Sequence, residues 1–289
     1  MSTIIDGKLL SEKIKKNIYE EVQYIKKKKG KCPKLTIIII GNNKSSHFYV
    51  KNKIKACEDV GFEYKIIKHE KIKKNELLKI IENENKKNDG LIIQLPLPHE
   101  INAKEIINNI NPEKDVDGLH FFNYGKILNE YPAHIPATPL GIMELIKEYK
   151  IKTKGKNCVI IGKSKIVGLP LSILMSRNDY PGNSTVTLCD KLTKNISYFT
   201  KKADILISAT GIPGLITEKM IKNESTIIDV GIKLIEDKKK KITIRGDVDF
   251  QNVKKKCKYI TPVPGGVGPM TIASILKNTL ISFKKIVYK

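Results

Sequence analysis

The chain has 289 residues, 40% hydrophobic and 29% charged, a globular composition with length enough for one large domain or two ordinary ones. Its longest apolar runs, such as residues 35–40, are far too short to span a bilayer, which excludes a transmembrane protein. A formal net charge of +23 would suit nucleic acid, but Arg177 and Arg245 are the only arginines, and phosphate and base readers draw on arginine; AT-rich codon usage would account for the lysine excess, and a basic nucleic-acid-binding protein stays only as the non-enzymatic alternative.

The chain starts with neither an apolar signal core nor a basic presequence, and its five scattered cysteines never form C-x-x-C, so a reducing, cytoplasmic location is expected. Ile14, Ile18, Val22 and Ile25 recur at helical spacing, with the lysines at 26–29 as a solvated helix end or turn tip. Residues 35–40 are a β-branched strand closed by Gly41-Asn42, of the kind found inside a parallel sheet. After a second helix, a third around 76–83 leads to a strand at 90–94 that Pro96 and Pro98 stop. From about Thr138 the alternation restarts with a helix over 141–149, a strand over 157–161, Gly162 and a helix beginning near 167–168. Strands follow near 185–188, 205–209, 226–230 and 259–261, which predicts a doubly wound α/β domain. The lysines at 238–241 read as a solvated helix end or turn tip. Residues 272–288 read as a helix returning to the first half, which puts both chain ends in one domain.

Four constellations carry chemistry. Gly162, Lys163 and Ser164 follow a buried strand and lead through Ile166 and Val167 into a helix, so bare backbone and a helix N-terminus can meet a pyrophosphate, although the spacing is not G-x-G-x-x-G. Lys163 and Lys191 bracket the place of an adenosine ribose and suit a 2′-phosphate, hence NADP. Asp190 ends the second strand, where an acid bonds the ribose 2′-OH of NAD, so the two signals conflict. Tyr49 and Lys53 are four residues apart on one helix face, read either as a surface lysine beside a core tyrosine or as a cleft pair in which a partly desolvated lysine loses its charge and becomes a usable base. The Tyr-x-x-x-Lys of short-chain dehydrogenases is set aside because there it follows the nucleotide turn. Gln94 ends a strand at the edge where open α/β sheets bind ligands, and Asp117 before Gly118 is either a ligand-facing carboxylate or an Asx-turn residue. Residues 261–271, with Pro264, Gly265, Gly266 and Thr271, form a stiff loop able to pass close over a flat ligand. His47, His69, His99, His120 and His134 show no metal-ligand spacing, and no metal is expected.

Taken together, residues 49–57, 94–98, 115–118, Thr138-Pro139, 162–170, 229–232, 246–248 and 261–271 resemble, in order and over essentially the whole chain, the methylenetetrahydrofolate dehydrogenase/cyclohydrolase family. The resemblance implies a two-domain α/β protein: an N-terminal αβα catalytic domain, residues 1–138 completed by the C-terminal helix 272–289, and a Rossmann-like doubly wound NAD(P)-binding domain, residues 139–271. It also implies a homodimer with folate and NADP in an interdomain cleft, serving one-carbon metabolism and purine biosynthesis. The implied reactions oxidise 5,10-methylenetetrahydrofolate with NADP and hydrolyse the methenyl product to 10-formyltetrahydrofolate. Lys53 would be the acid/base residue, tuned by Gln94. Tyr49 and Asp117 would sit at the pterin, with Pro264, Gly265, Gly266 and Thr271 as further substrate contacts. Gly162, Lys163, Ser164, Ile166, Val167, Lys191 and Ile232 would hold the cofactor.

Three positions depart from the family pattern: Lys163 replaces an arginine or small residue, Asp190-Lys191 replaces histidine followed by serine or arginine, and Ala137 replaces a cysteine. The first two keep NAD open as the cofactor. They also leave a rival enzyme reading, a different NAD-dependent Rossmann dehydrogenase acting on a small hydroxy or amino acid, for which Asp190 speaks.

Overall fold

The computed structural model describes residues 2–236 and 242–289, so the lysines at 238–241 lie outside the described residues. In chain order the elements are β1 (Thr3–Ile4), α1 (Gly7–Lys29), β2 (Lys34–Ile40), α2 (Lys44–Val60), β3 (Glu63–His69), α3 (Lys74–Lys87), β4 (Gly90–Ile93), α4 (Ala103–Ile107), α5 (Phe121–Leu128) and α6 (Ala137–Glu148). They continue with β5 (Asn157–Ile161), α7 (Gly168–Ser176), β6 (Thr185–Cys189), α8 (Ile196–Thr200), β7 (Ile205–Ser208), β8 (Thr226–Asp229), β9 (Lys233–Glu236), β10 (Ile242–Arg245), α9 (Phe250–Val253), β11 (Tyr259–Ile260) and α10 (Val267–Phe283). The chain is a two-domain α/β protein that divides into two compact units, one of Glu12–Ala137 with Ile272–Lys289, the other of Thr138–Thr271 with the chain start through Ser11.

The first unit is built on a parallel sheet of order β3-β2-β4. Successive side chains of a strand point to opposite faces, and the isoleucine run of β2 serves both. Leu35, Ile37 and Ile39 enter a core with Ile18, Val22, Val50, Val60 and, from the far end of the chain, Ile275, Leu276 and Leu280. Ile38 and Ile40 enter a second core with Leu77, Ile81, Leu91, Ile93 and Ile106. Each isoleucine so buried contributes about 1.5–3 kcal/mol. Lys26 to Lys29 occupy the last turn of α1, where cations complement the helix dipole.

The second unit carries a parallel sheet of order β1-β11-β8-β7-β5-β6. Val159, Ile161, Leu206, Ile227 and Ile260 share one core face with Ala203, Ile216, Val253 and Cys257. The chain runs from β5 out to β6 and then back across to β7, so the strand order reverses between β5 and β7. Such a reversal leaves a crevice at the carboxyl ends of the strands.

Three local expectations shift. The chain start does not stay with the first half: Thr3 and Ile4 pair in parallel with Tyr259 and Ile260 and extend the six-stranded sheet. β3 gives little apolar signal because its Glu63, Tyr64 and Lys65 are exposed to solvent. The last helix starts at Val267 and stops at Phe283, short of residue 288, with Lys285 at φ +56° just beyond it. No helix among the described residues is long and apolar enough to cross a membrane.

Candidate active site

Helix α2 begins at Asn43, whose side chain accepts a hydrogen bond from Ser46 N at 3.1 Å and fixes the register of the first turn. In that register Val50, Ala56, Cys57 and Val60 face the core beneath β2, and Tyr49 and Lys53 lie one turn apart. The partner comes from β4. Gln94, one residue past the strand, is tied by its backbone N to Ile38 O at 2.9 Å, and its Nε2 donates to Leu95 O at 2.8 Å. That second bond fixes the amide's orientation and turns Oε1 toward α2, where it accepts from Lys53 Nζ at 3.0 Å. Lys53 is only 8% exposed. Burial lowers its pKa, and the carboxylate of Asp117 pulls the other way. The amide oxygen accepts a hydrogen bond without adding charge, so the amine can exist neutral. Tyr49 is half-buried beside it, and burial raises its hydroxyl pKa.

The stretch leading to Asp117 runs parallel to β4, with Leu91 N donating to Lys114 O at 2.8 Å and a bridge between Leu91 and Asp115. Asp117 is thereby level with the end of β4. Gly118 follows at φ +72°, and a Cβ there would stand 2.6 Å from Pro136 N, so glycine is required for the chain to turn away. Asn278 of α10 donates through Nδ2 to Val116 O at 2.9 Å and to Ile135 O at 3.1 Å. Asp115 is fully buried and accepts from His120 N at 2.7 Å and Asn123 Nδ2 at 3.0 Å; burial pushes its carboxyl up to about 6. The Asp117 carboxylate accepts no hydrogen bond among the described residues.

In the six-stranded unit, Gly162 follows β5 at φ +108°, at the strand-order reversal. A Cβ on Gly162 would run into Ala209 O past the end of β7, and one on Gly168 would run into Gly162 O, so α7 starts directly against the turn. Ser164 Oγ accepts from Val167 N at 3.2 Å, and Lys163, Ser164, Lys165 and Ile166 are exposed. This cradle of bare backbone at a helix start fits a pyrophosphate. Gly162 N also bonds Cys189 O at 2.8 Å, which ties the turn to the end of β6, where Lys163 Nζ meets Asp190 Oδ2 at 2.7 Å and Lys191 is exposed.

Pro264, Gly265, Gly266 and Thr271 also belong to the six-stranded unit. Gly265 O accepts from Lys8 N at 2.8 Å, and Thr271 Oγ1 bonds Thr138 Oγ1 at 3.0 Å. Ile232 Cδ1 packs 3.4 Å from where a Cβ on Gly268 would stand.

Asp229 and Asp247 hold the strand ends together, a role that sequence reasoning did not assign. Asp229 accepts from the backbone N of Gly231, Asp247 and Val248 at 2.9–3.0 Å. Asp247 Oδ2 accepts from Ser208 Oγ, Thr210 N and Thr210 Oγ1 at 2.7–2.8 Å. Burial, with Asp247 adding to it, pushes Asp229 up to about 7 against those three donors. The available signal is a glycine near each aspartate: a Cβ on Gly231 would strike the Asp247 carboxylate, and one on Gly246 that of Asp229.

Residues 5–117 match the model of the tetrahydrofolate dehydrogenase/cyclohydrolase catalytic domain, and residues 136–287 that of the family's NAD(P)-binding domain. A bifunctional protein FolD of Amoebophilus asiaticus is 52% identical, covering 100% of this chain and 98% of its own. The crystal structure of the bifunctional methylenetetrahydrofolate dehydrogenase/cyclohydrolase from Campylobacter jejuni is 43% identical, with 99% of each chain covered and a TM-score of 0.92. The corresponding dehydrogenase-cyclohydrolase of Trypanosoma brucei, solved with NADP cofactor and an inhibitor, is 34% identical, with 100% of this chain and 99% of that one covered and a TM-score of 0.94.

Proposed function

This chain belongs to the tetrahydrofolate dehydrogenase/cyclohydrolase family, and from that membership we infer a bifunctional enzyme that oxidises 5,10-methylenetetrahydrofolate with NADP to 5,10-methenyltetrahydrofolate and hydrolyses that cation to 10-formyltetrahydrofolate. The rival readings, a hydroxy- or amino-acid dehydrogenase and a nucleic-acid-binding protein, are not favoured, because the similarity to dehydrogenase/cyclohydrolases runs the full length of the chain.

The observation that carries the residue assignment is the buried Lys53 amine bonded to a neutral amide oxygen. Bound NADP supplies a hydride acceptor. In the hydrolysis, water attacks the methenyl carbon while neutral Lys53 takes one of the water's protons and returns it to the ring nitrogen as the C–N bond opens, and the remaining hydroxyl proton leaves to solvent as the formyl C=O forms. The positive methenyl group disfavours an ammonium beside it and so reinforces the neutral form. Gln94 holds the amine in place, Asp117 accepts from the pterin's N–H and amino donors, and Tyr49 borders the ring. Pro264, Gly265, Gly266 and Thr271 are proposed as further substrate contacts, and Gly162, Lys163, Ser164, Ile166, Val167, Lys191 and Ile232 as the cofactor's seat. The reading extends to a cytoplasmic homodimer in one-carbon metabolism, including purine biosynthesis, with no nucleic-acid or membrane partner.

The test is Lys53→Met. Methenyltetrahydrofolate hydrolysis, followed by loss of the methenyl absorbance, is expected to fall by roughly 10²–10⁴-fold with folate binding retained. Undiminished hydrolysis removes Lys53 from the mechanism.

A further inference from the structure

The turn after β6 fixes one partner of the Lys163–Asp190 pair and leaves the other free. Asp190 N donates to Thr193 Oγ1 at 2.9 Å, and Asp190 Oδ1 accepts from Leu192 N at 3.0 Å and from Thr193 Oγ1 at 3.4 Å. These bonds anchor the carboxylate, whose side chain is 15% exposed. The remaining oxygen, Oδ2, faces Lys163 Nζ at 2.7 Å. Lys163 is 59% exposed on a long, flexible stem, and it is the partner able to swing away.

A dinucleotide whose pyrophosphate rests on the Gly162 turn extends its adenosine ribose toward the end of the adjoining strand, here β6 and Asp190. A 2′-hydroxyl meets an anchored acceptor there. A 2′-phosphate instead competes with Asp190 for Lys163, and the carboxylate stays in place and repels it, with exposed Lys191 as the additional cation. Lys163 is therefore no free phosphate ligand, because its charge is already answered within the protein.

We propose that Asp190 is the specificity-determining residue of the cofactor site: by pairing with Lys163 it holds down the preference for a 2′-phosphorylated nucleotide and keeps NAD usable beside NADP. The proposal rests on the reading of the Gly162 turn as the nucleotide seat.

It is tested without folate by calorimetric binding of adenosine 2′,5′-bisphosphate and of AMP to the intact protein and to Asp190→Asn and Lys163→Met. Asparagine keeps the Oδ1 acceptor of the turn and replaces the charged Oδ2, which accepts from Lys163, with an amide nitrogen that only donates. Asp190→Asn is expected to tighten the bisphosphate roughly tenfold, about 1.4 kcal/mol, and to weaken AMP, whose 2′-hydroxyl loses its anchored acceptor. Lys163→Met is expected to weaken the bisphosphate by a similar factor. The NADP-to-NAD ratio of kcat/KM should move in the same two directions. If both fragments bind the wild type and their affinity ratio is unchanged in Asp190→Asn, the proposal fails and the nucleotide seat stands. If neither fragment binds any of the three proteins, the seat fails and the proposal with it.

Discussion

Lys53 and Gln94 meet at 3.0 Å as amine and amide, and the choice of amide decides the amine's charge. A carboxylate in the same place would stabilise the ammonium and raise a pKa that burial lowers. Gln94→Glu is therefore expected to move the acidic limb of the hydrolysis pH–rate profile to higher pH, because Lys53, as the proposed base, works only when unprotonated. At a fixed neutral pH the rate should drop by roughly tenfold for each unit of displacement. A pH profile that stays in place would show that the neighbour at position 94 does not govern Lys53. The two residues were each legible in the sequence, Lys53 from its helical spacing to Tyr49 and Gln94 from its place after an apolar run. Their contact was not legible, since it joins residues 41 apart and depends on Leu95 O orienting the amide. Asp229 and Asp247 were less legible still, because in the sequence each resembles a turn aspartate and only the folded strand ends bring them together.

Among the elements, strands buried on both faces announced themselves and the solvent-exposed β3 did not. β2 and β4 are largely apolar because each feeds two cores, whereas β3 is exposed at Glu63, Tyr64 and Lys65. The junction of β5 with α7 was legible as strand, glycine and helix start, but the reason for the second glycine lies in packing: Gly168 abuts Gly162 O. Gly168→Ala must push α7 off the turn, and a loss of about 1–3 kcal/mol by urea unfolding is expected, together with weakened nucleotide binding. Gly155→Ala is the matched control. It has φ +69° and open space around it, so it should cost about 1–2 kcal/mol of backbone strain and leave nucleotide affinity intact. Equal nucleotide affinity in both variants would show that the close approach of α7 does not shape the site.

At the scale of the molecule, each unit is assembled from separated stretches of chain. The core on one face of β2 takes Ile275, Leu276 and Leu280 from the last helix, and Ser282 Oγ bonds the backbone oxygens of Asp89 and Glu113. A fragment of residues 12–137 is thus expected to lack a cooperative urea transition and to regain one when a peptide of residues 272–289 is added. A cooperative transition in the fragment alone would show that the helix is dispensable to the unit. The clasp of Asn278 on Val116 O and Ile135 O has a consequence in time as well as in space. The ribosome makes the loop carrying Asp117 early and its clasp 162 residues later, which at the usual pace of elongation is a delay of roughly 8–30 seconds. Through that interval the nascent chain already has Lys53 and Gln94 but an untethered Asp117, so the loop before Gly118 is clasped only once the last helix has been made.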